Sequence, residues 1–131
     1  MDGRITGMMT KTSLVETLEI AYANVKGEEE RAQRLTREKA KAAWYDPDEL
    51  NTMAWDRYTG KSSRSELKEA ISWVKRSIQL DANYYNMDTY AALLYRTAQY
   101  KKARRIAIQA IELAKQSGES YDETEVLLRK L

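Results

Sequence analysis

One part of this chain is written twice. Residues 50–58 align with residues 87–95 at an offset of 37, and Thr52 with Thr89, Ala54 with Ala91 and Tyr58 with Tyr95 coincide. Residues 70–80 align with residues 103–113 at an offset of 33, with small or apolar residues mostly facing one another. The offsets differ by four because the first copy carries four more residues between its segments, in Gly60-Lys61-Ser62-Ser63-Arg64. A repeat of roughly 34 residues made of two helical segments cannot bury its apolar faces alone, so it stacks on its neighbours as a solenoid. The expectation is an all-α fold of helical hairpins and a binding scaffold rather than an enzyme core.

Composition narrows the chemistry. The 131 residues contain neither His nor Cys. That removes the commonest general base, thiolate nucleophiles, disulfides, the usual catalytic triads and the common zinc sites. No metal or cofactor is expected. Phe is absent, and the aromatic filling is nine Tyr and three Trp, whose polar tips want a partner or water. The net charge of +2 is evenly spread: residues 1–45 hold eight basic and seven acidic side chains. This argues against bulk nucleic-acid or membrane binding. No apolar run approaches the roughly 18–20 residues that span a bilayer. The compartment stays open: cytoplasm, or periplasm if a natural precursor carried a signal peptide outside this sequence.

The apolar periodicity and end signals predict seven helices. Residues 1–12 read as a tail. Ser13-Leu14-Val15-Glu16 fits a capping box for a helix over Ser13–Val25, ended by Gly27. A second helix opens on Glu28-Glu29-Glu30, suited to the positive end of a helix dipole, and runs to Trp44. Those three adjacent carboxylates point in different directions and chelate poorly, so they are not read as a metal site. Asp46-Pro47-Asp48-Glu49 supplies a cap, a proline at the first helical position and a carboxylate that reaches back. The helices beyond are expected over Pro47–Thr59, Ser65–Leu80 (with a Ser63/Glu66 box), Met87–Ala98, Tyr100–Ser117 stopped by Gly118, and 120–131 as a cap. The domain reading is one helical domain over 13–131: a degenerate pair at 13–47, repeats at 48–83 and 84–117, and the terminal helix.

Small residues recur where helices would cross: Ala54 and Ala91 on the first helix of each pair, Ala70, Ala103 and Ala110 on the second. Met53, Tyr90 and Leu94 flank the former; Trp73, Val74, Ile78, Leu80, Ile106, Ile111 and Leu113 flank the latter. With Tyr100 after the turn and Leu80-Asp81-Ala82-Asn83 at the end of a unit, this pattern resembles the tetratricopeptide repeat. Tyr45-Asp46-Pro47-Asp48 resembles the same ending of an earlier unit. The runs Leu50–Trp55 and Tyr84–Ala91 also look like repeat segments attached to thioredoxin-like domains of Bacteroidetes-type bacteria. The thioredoxin Cys-x-x-Cys is absent, so no redox role carries over.

The resemblance implies protein or peptide binding in a groove lined by the first helix of each pair. Asn51, Trp55 and Tyr58 share one helical face, and Asp88, Ala92, Tyr95 and Arg96 form the corresponding face of the second copy. On this reading Trp55, Tyr58 and Tyr95 are anchors, and Asn51, Asp88 and Arg96 are polar contacts. The alternative is that the aromatics are packing residues between repeats. The family's carboxylate-gripping variant uses Lys and Asn at such places, a set this chain lacks. A basic stretch, Arg96, Lys101, Lys102, Arg104 and Arg105, suits an acidic peptide or a phosphate backbone, or else is a solvated face. The rival to a peptide scaffold is a structural part of a larger protein, or a homodimer that covers the solenoid's apolar ends.

Overall fold

The structure, a computed structural model, describes residues 11–131. Within the first helix it describes the side chains of 18, 19, 21 and 22 and from residue 25 onward. Six α-helices form: α1 (Lys11–Ala42), α2 (Pro47–Thr59), α3 (Arg64–Asp81), α4 (Tyr84–Arg96), α5 (Tyr100–Ser117) and α6 (Asp122–Lys130). There is no strand among the described residues.

The expected break at Gly27 is not there. The two helices read from residues 13–44 are one, and the seven expected helices become six among the described residues. Ser13 already lies inside α1 rather than capping it, as do Lys11 and Thr12 of the expected tail. Residues 1–10 of that tail lie outside the described residues. A glycine in a helix interior costs only about 1 kcal/mol relative to alanine. Lys26, Glu30 and Arg34 are spaced i, i+4 across it, which supports continuation. Gly118 behaves otherwise. Its φ of 74° is left-handed, it ends α5, and its N–H and that of Glu119 both donate to Ala114 O.

The chain divides into two compact units, Met1–Lys39 and Ala40–Leu131. In the first, every described side chain of residues 18–39 except Thr36 is exposed, including Leu18, Tyr22, Val25 and Leu35.

The second unit holds α2 to α6. The Asp46 carboxylate accepts from Glu49 N at 3.1 Å, with Pro47 opening α2. Ser63 and Glu66 exchange both bonds of a capping box at α3. α4 starts at Tyr84, three residues before the expected Met87, because Asn83 and Asn86 form a reciprocal cap of their own. α2 packs on α3 and α4 on α5, while α4 also packs against α2 and α3, and α6 rests on α5. The small residues Ala54, Ala70, Ala91, Ala103 and Ala110 are all 0% exposed. Met53, Trp73, Val74, Tyr90, Leu94 and Ile106 are buried around them; Ile78, Leu80, Ile111 and Leu113 are half-buried.

Two polar devices tie the pairs together. Arg57 of α2 donates to Glu66 O at 2.8 Å, pairs with Glu69 at 3.2 Å and lies 4.7 Å over the Trp73 ring. The fully buried Asn86 amide donates to Ser77 Oγ at 3.1 Å and Asp81 O at 2.8 Å, and Ser77 in turn donates to Pro47 O at 2.7 Å. That chain joins the start of α2, the end of α3 and the first turn of α4. Its groups lie in a low-dielectric interior where leaving one unpaired is costly.

Candidate functional site

A groove runs between α2 and α6, with α4 as its floor. It consists of three hollows of about 330, 370 and 420 Å³. Asp88 and Glu123 line all three, which makes them one continuous trough. α2 contributes Asn51, Thr52, Trp55 and Tyr58. α4 contributes Tyr84, Tyr85, Asp88, Thr89 and Ala92. Ser120 and, from α6, Asp122, Glu123, Val126, Leu127 and Lys130 complete it.

A hydroxyl relay holds α6 in place. Thr124, 0% exposed, donates from Oγ1 to Asp88 Oδ1 at 2.6 Å and lies 2.8 Å from the Tyr84 hydroxyl. A threonine hydroxyl has one proton, and it goes to the carboxylate, so Tyr84 is the donor to Thr124. Burial pushes the Asp88 carboxyl above the usual aspartate range; the Thr124 hydrogen bond opposes this and the nearby Glu123 charge adds to it. Burial also raises the Tyr58 and Tyr84 hydroxyls, keeping both protonated at neutral pH. Tyr85 is exposed and hydrogen-bonds to Glu119, which raises the tyrosine. The Glu119 carboxyl is lowered by Ser117 and then by Tyr85.

Five of the seven expected groove residues line this trough: Asn51, Trp55, Tyr58, Asp88 and Ala92. Trp55 and Tyr58 are half-buried, their ring centroids 5.0 Å apart, and Ala92 is buried in the floor. Tyr95 and Arg96 are placed elsewhere. The half-buried Tyr95 ring packs 5.8 Å from Tyr100 of α5. Arg96 donates to Tyr58 O, and to Gly60 O at 3.1 Å, so it caps the C-terminal end of α2.

The basic stretch is not one patch. Besides Arg96, Lys102 is half-buried with its ammonium 5.6 Å from the Tyr90 ring, and Arg104 donates to Leu131 O at 2.6 Å. Lys101 and Arg105 remain exposed one turn apart on α5. Among the described residues no three Asp or Glu gather as a metal site, and no helix is long and apolar enough to cross a membrane.

No family model, curated protein or solved structure matches the chain. Within the chain, several lining positions are related by the repeat offsets. Asn51, Asp88 and Glu123 are equivalent positions at offsets of 37 and 35, and so are Thr52, Thr89 and Thr124. The same offsets relate Trp55, Ala92 and Leu127, and Tyr58, Tyr95 and Lys130. Asn51, Asp88 and Glu123 all line the groove, as do Trp55, Ala92 and Leu127, whereas Thr124 and Tyr95 of the other two sets do not. Residues 120–131, expected as a cap, also contribute Glu123, Val126 and Lys130 to the lining. The Glu123-Thr124 pair, set against Asp88-Thr89, was the signal that marks them.

Proposed function

We propose that this chain is a non-catalytic binding module of the tetratricopeptide type, which seats an extended peptide segment of a protein partner in the trough between α2 and α6. The observation that carries this reading is the groove itself, lined by three alternate helices, α2, α4 and α6, and furnished with half-buried aromatic rings. An extended chain suits a long, shallow trough. Rings that pack on one side and face the trough on the other give contact area at low ordering cost. The test is selection from a displayed library of nine-residue peptides on the immobilised protein, followed by Trp55→Ala and by Lys101→Glu/Arg105→Glu. Enriched peptides should lose binding with the first variant and keep it with the second. Enrichment that ignores Trp55, or none at all, would sink the reading.

A second reading, an assembly segment, draws on α1, whose exposed Leu18, Tyr22, Val25 and Leu35 present apolar surface. Light scattering across a concentration series decides it: a mass fixed at one chain removes self-association.

A further inference from the structure

The polar row of the trough is built from acceptors. Asn51, Asp88 and Glu123 occupy equivalent positions on three helices and line it side by side. Asn51 Oδ1 is buried and accepts no hydrogen bond from the described residues. Asp88 and Glu123 are carboxylates, and Asp122 adds a third at one end. Lys130 is the one basic side chain among the lining residues. The second row, Trp55 and Tyr58, sets half-buried rings beside these oxygens, with the Arg96 guanidinium 5.9 Å from the Tyr58 ring.

Acceptor oxygens next to aromatic faces match a group that only donates and carries positive charge. Lys and Arg have that character: three and five N–H donors, no acceptor, and an aliphatic stem that lies along a ring. A cation held by both a ring face and a carboxylate gains from each. An acidic side chain would meet the like charges of Asp88 and Glu123, with Lys130 the one opposite charge in the lining. Resting on the peptide-groove reading, we infer that the segment bound here is basic, and that it places a Lys or Arg side chain between the Trp55–Tyr58 rings and the Asp88–Glu123 carboxylates. Burial, which already pushes the Asp88 carboxyl upward, is consistent with a charge that a ligand cation would steady.

The experiment uses four pools of nine-residue peptides, random except for a central Arg, Lys, Gln or Glu, applied to the immobilised full chain and read by mass spectrometry. The Arg and Lys pools should be retained about three- to thirtyfold better than the Gln pool, with the Glu pool weakest. Glu123→Gln and Asp88→Asn should erase that ranking; an Asn carbonyl can still accept from Thr124, so the second variant keeps its fold, which circular dichroism checks. Equal retention of all pools, still lost with Trp55→Ala, would overturn the basic-segment inference and leave the groove reading standing. Preferred retention of the Glu pool would overturn it as well. Retention no better than that of Trp55→Ala for every pool would overturn both.

Discussion

α2 and α4 are both thirteen residues long, both open a helix pair, and both face the groove, yet they are held very differently. α2 buries three residues, Leu50, Met53 and Ala54, while α4 buries nine. The difference follows from neighbours. α4 is packed against α2, α3 and α5 and receives the Thr124 hydroxyl from α6; α2 packs on α3 and α4. Composition adds to this, since the buried Leu93 and Leu94 of α4 stand where α2 has Asp56 and Arg57, so one helix becomes a floor and the other a wall with half-buried rings. Burial in a stack is set by position as much as by sequence, and the helix with fewer neighbours is the one left with aromatic surface for a ligand.

The largest expected effect tests that contrast directly. Leu93→Ala, at a site 0% exposed in the floor, should cost about 2–5 kcal/mol in urea denaturation. Tyr58→Ala in the wall should cost only about 1 kcal/mol, the size of a lost ring pair. Equal costs would mean that the wall is core, and the contrast would be gone.

Overpacking sharpens the comparison. Ala91→Leu should destabilise by about 1–3 kcal/mol. Ala54→Leu, equally unexposed, should cost less, because α2 can shift outward where α4 cannot. Paired thermal melts check the order; the reverse order would show α2 to be the more confined helix.

A smaller effect is expected from pH. The folded Asp88 carboxyl titrates above its unfolded value, so the folded state binds the proton more tightly. Its contribution to stability therefore falls as pH rises through the window between the ordinary aspartate value and the raised one. Asp88→Asn removes this term, so its stability relative to the parent should improve across that window and level off above it. A difference that stays flat with pH would contradict the burial assigned to Asp88.

Smallest is Ala98→Gly. Ala98 ends α4 with φ 62°, a left-handed conformation costly for a residue with a Cβ, and it is exposed. Glycine relieves that strain but gains freedom in the unfolded chain, for a net gain of up to about 1 kcal/mol in denaturant unfolding. A loss would show that the turn is relaxed.

What could be read from sequence divides along the range of the interactions. Asp46-Pro47, Ser63/Glu66 and Gly118 act within one turn, and they placed the starts of α2 and α3 to within a residue and the end of α5 correctly. The buried alanines were legible because the repeated pattern supplies its own alignment. Gly27 misled, since a glycine ends a helix only when the chain beyond leaves the helical path. The Asn83/Asn86 cap escaped because the pair lacks the usual Ser/Thr and Glu/Gln. Tyr95 and Arg96 share a helical face with Asp88, but contacts with Tyr100 and with the carbonyls of residues 58 and 60 drew them away. The relay from Tyr84 through Thr124 to Asp88 spans forty residues of chain and left no local trace.

Near-copies in one chain carry a hazard: α2 and α4 are similar enough to compete for the same berth while the chain collapses. The buried Asn86 amide bears on this. Its equivalent in the first copy is Glu49, which cannot donate as an amide does. A chain that slid by a turn, or exchanged the two helices, would strand the Asn86 amide and the Ser77 hydroxyl, both 0% exposed, at about 1–3 kcal/mol for each group. Apolar contacts alone would forgive such an error, since one alanine crossing resembles the next. The Asn86 amide, satisfied only where Ser77 and the Asp81 carbonyl meet it, thus favours one helix in one place over a mis-stacked alternative.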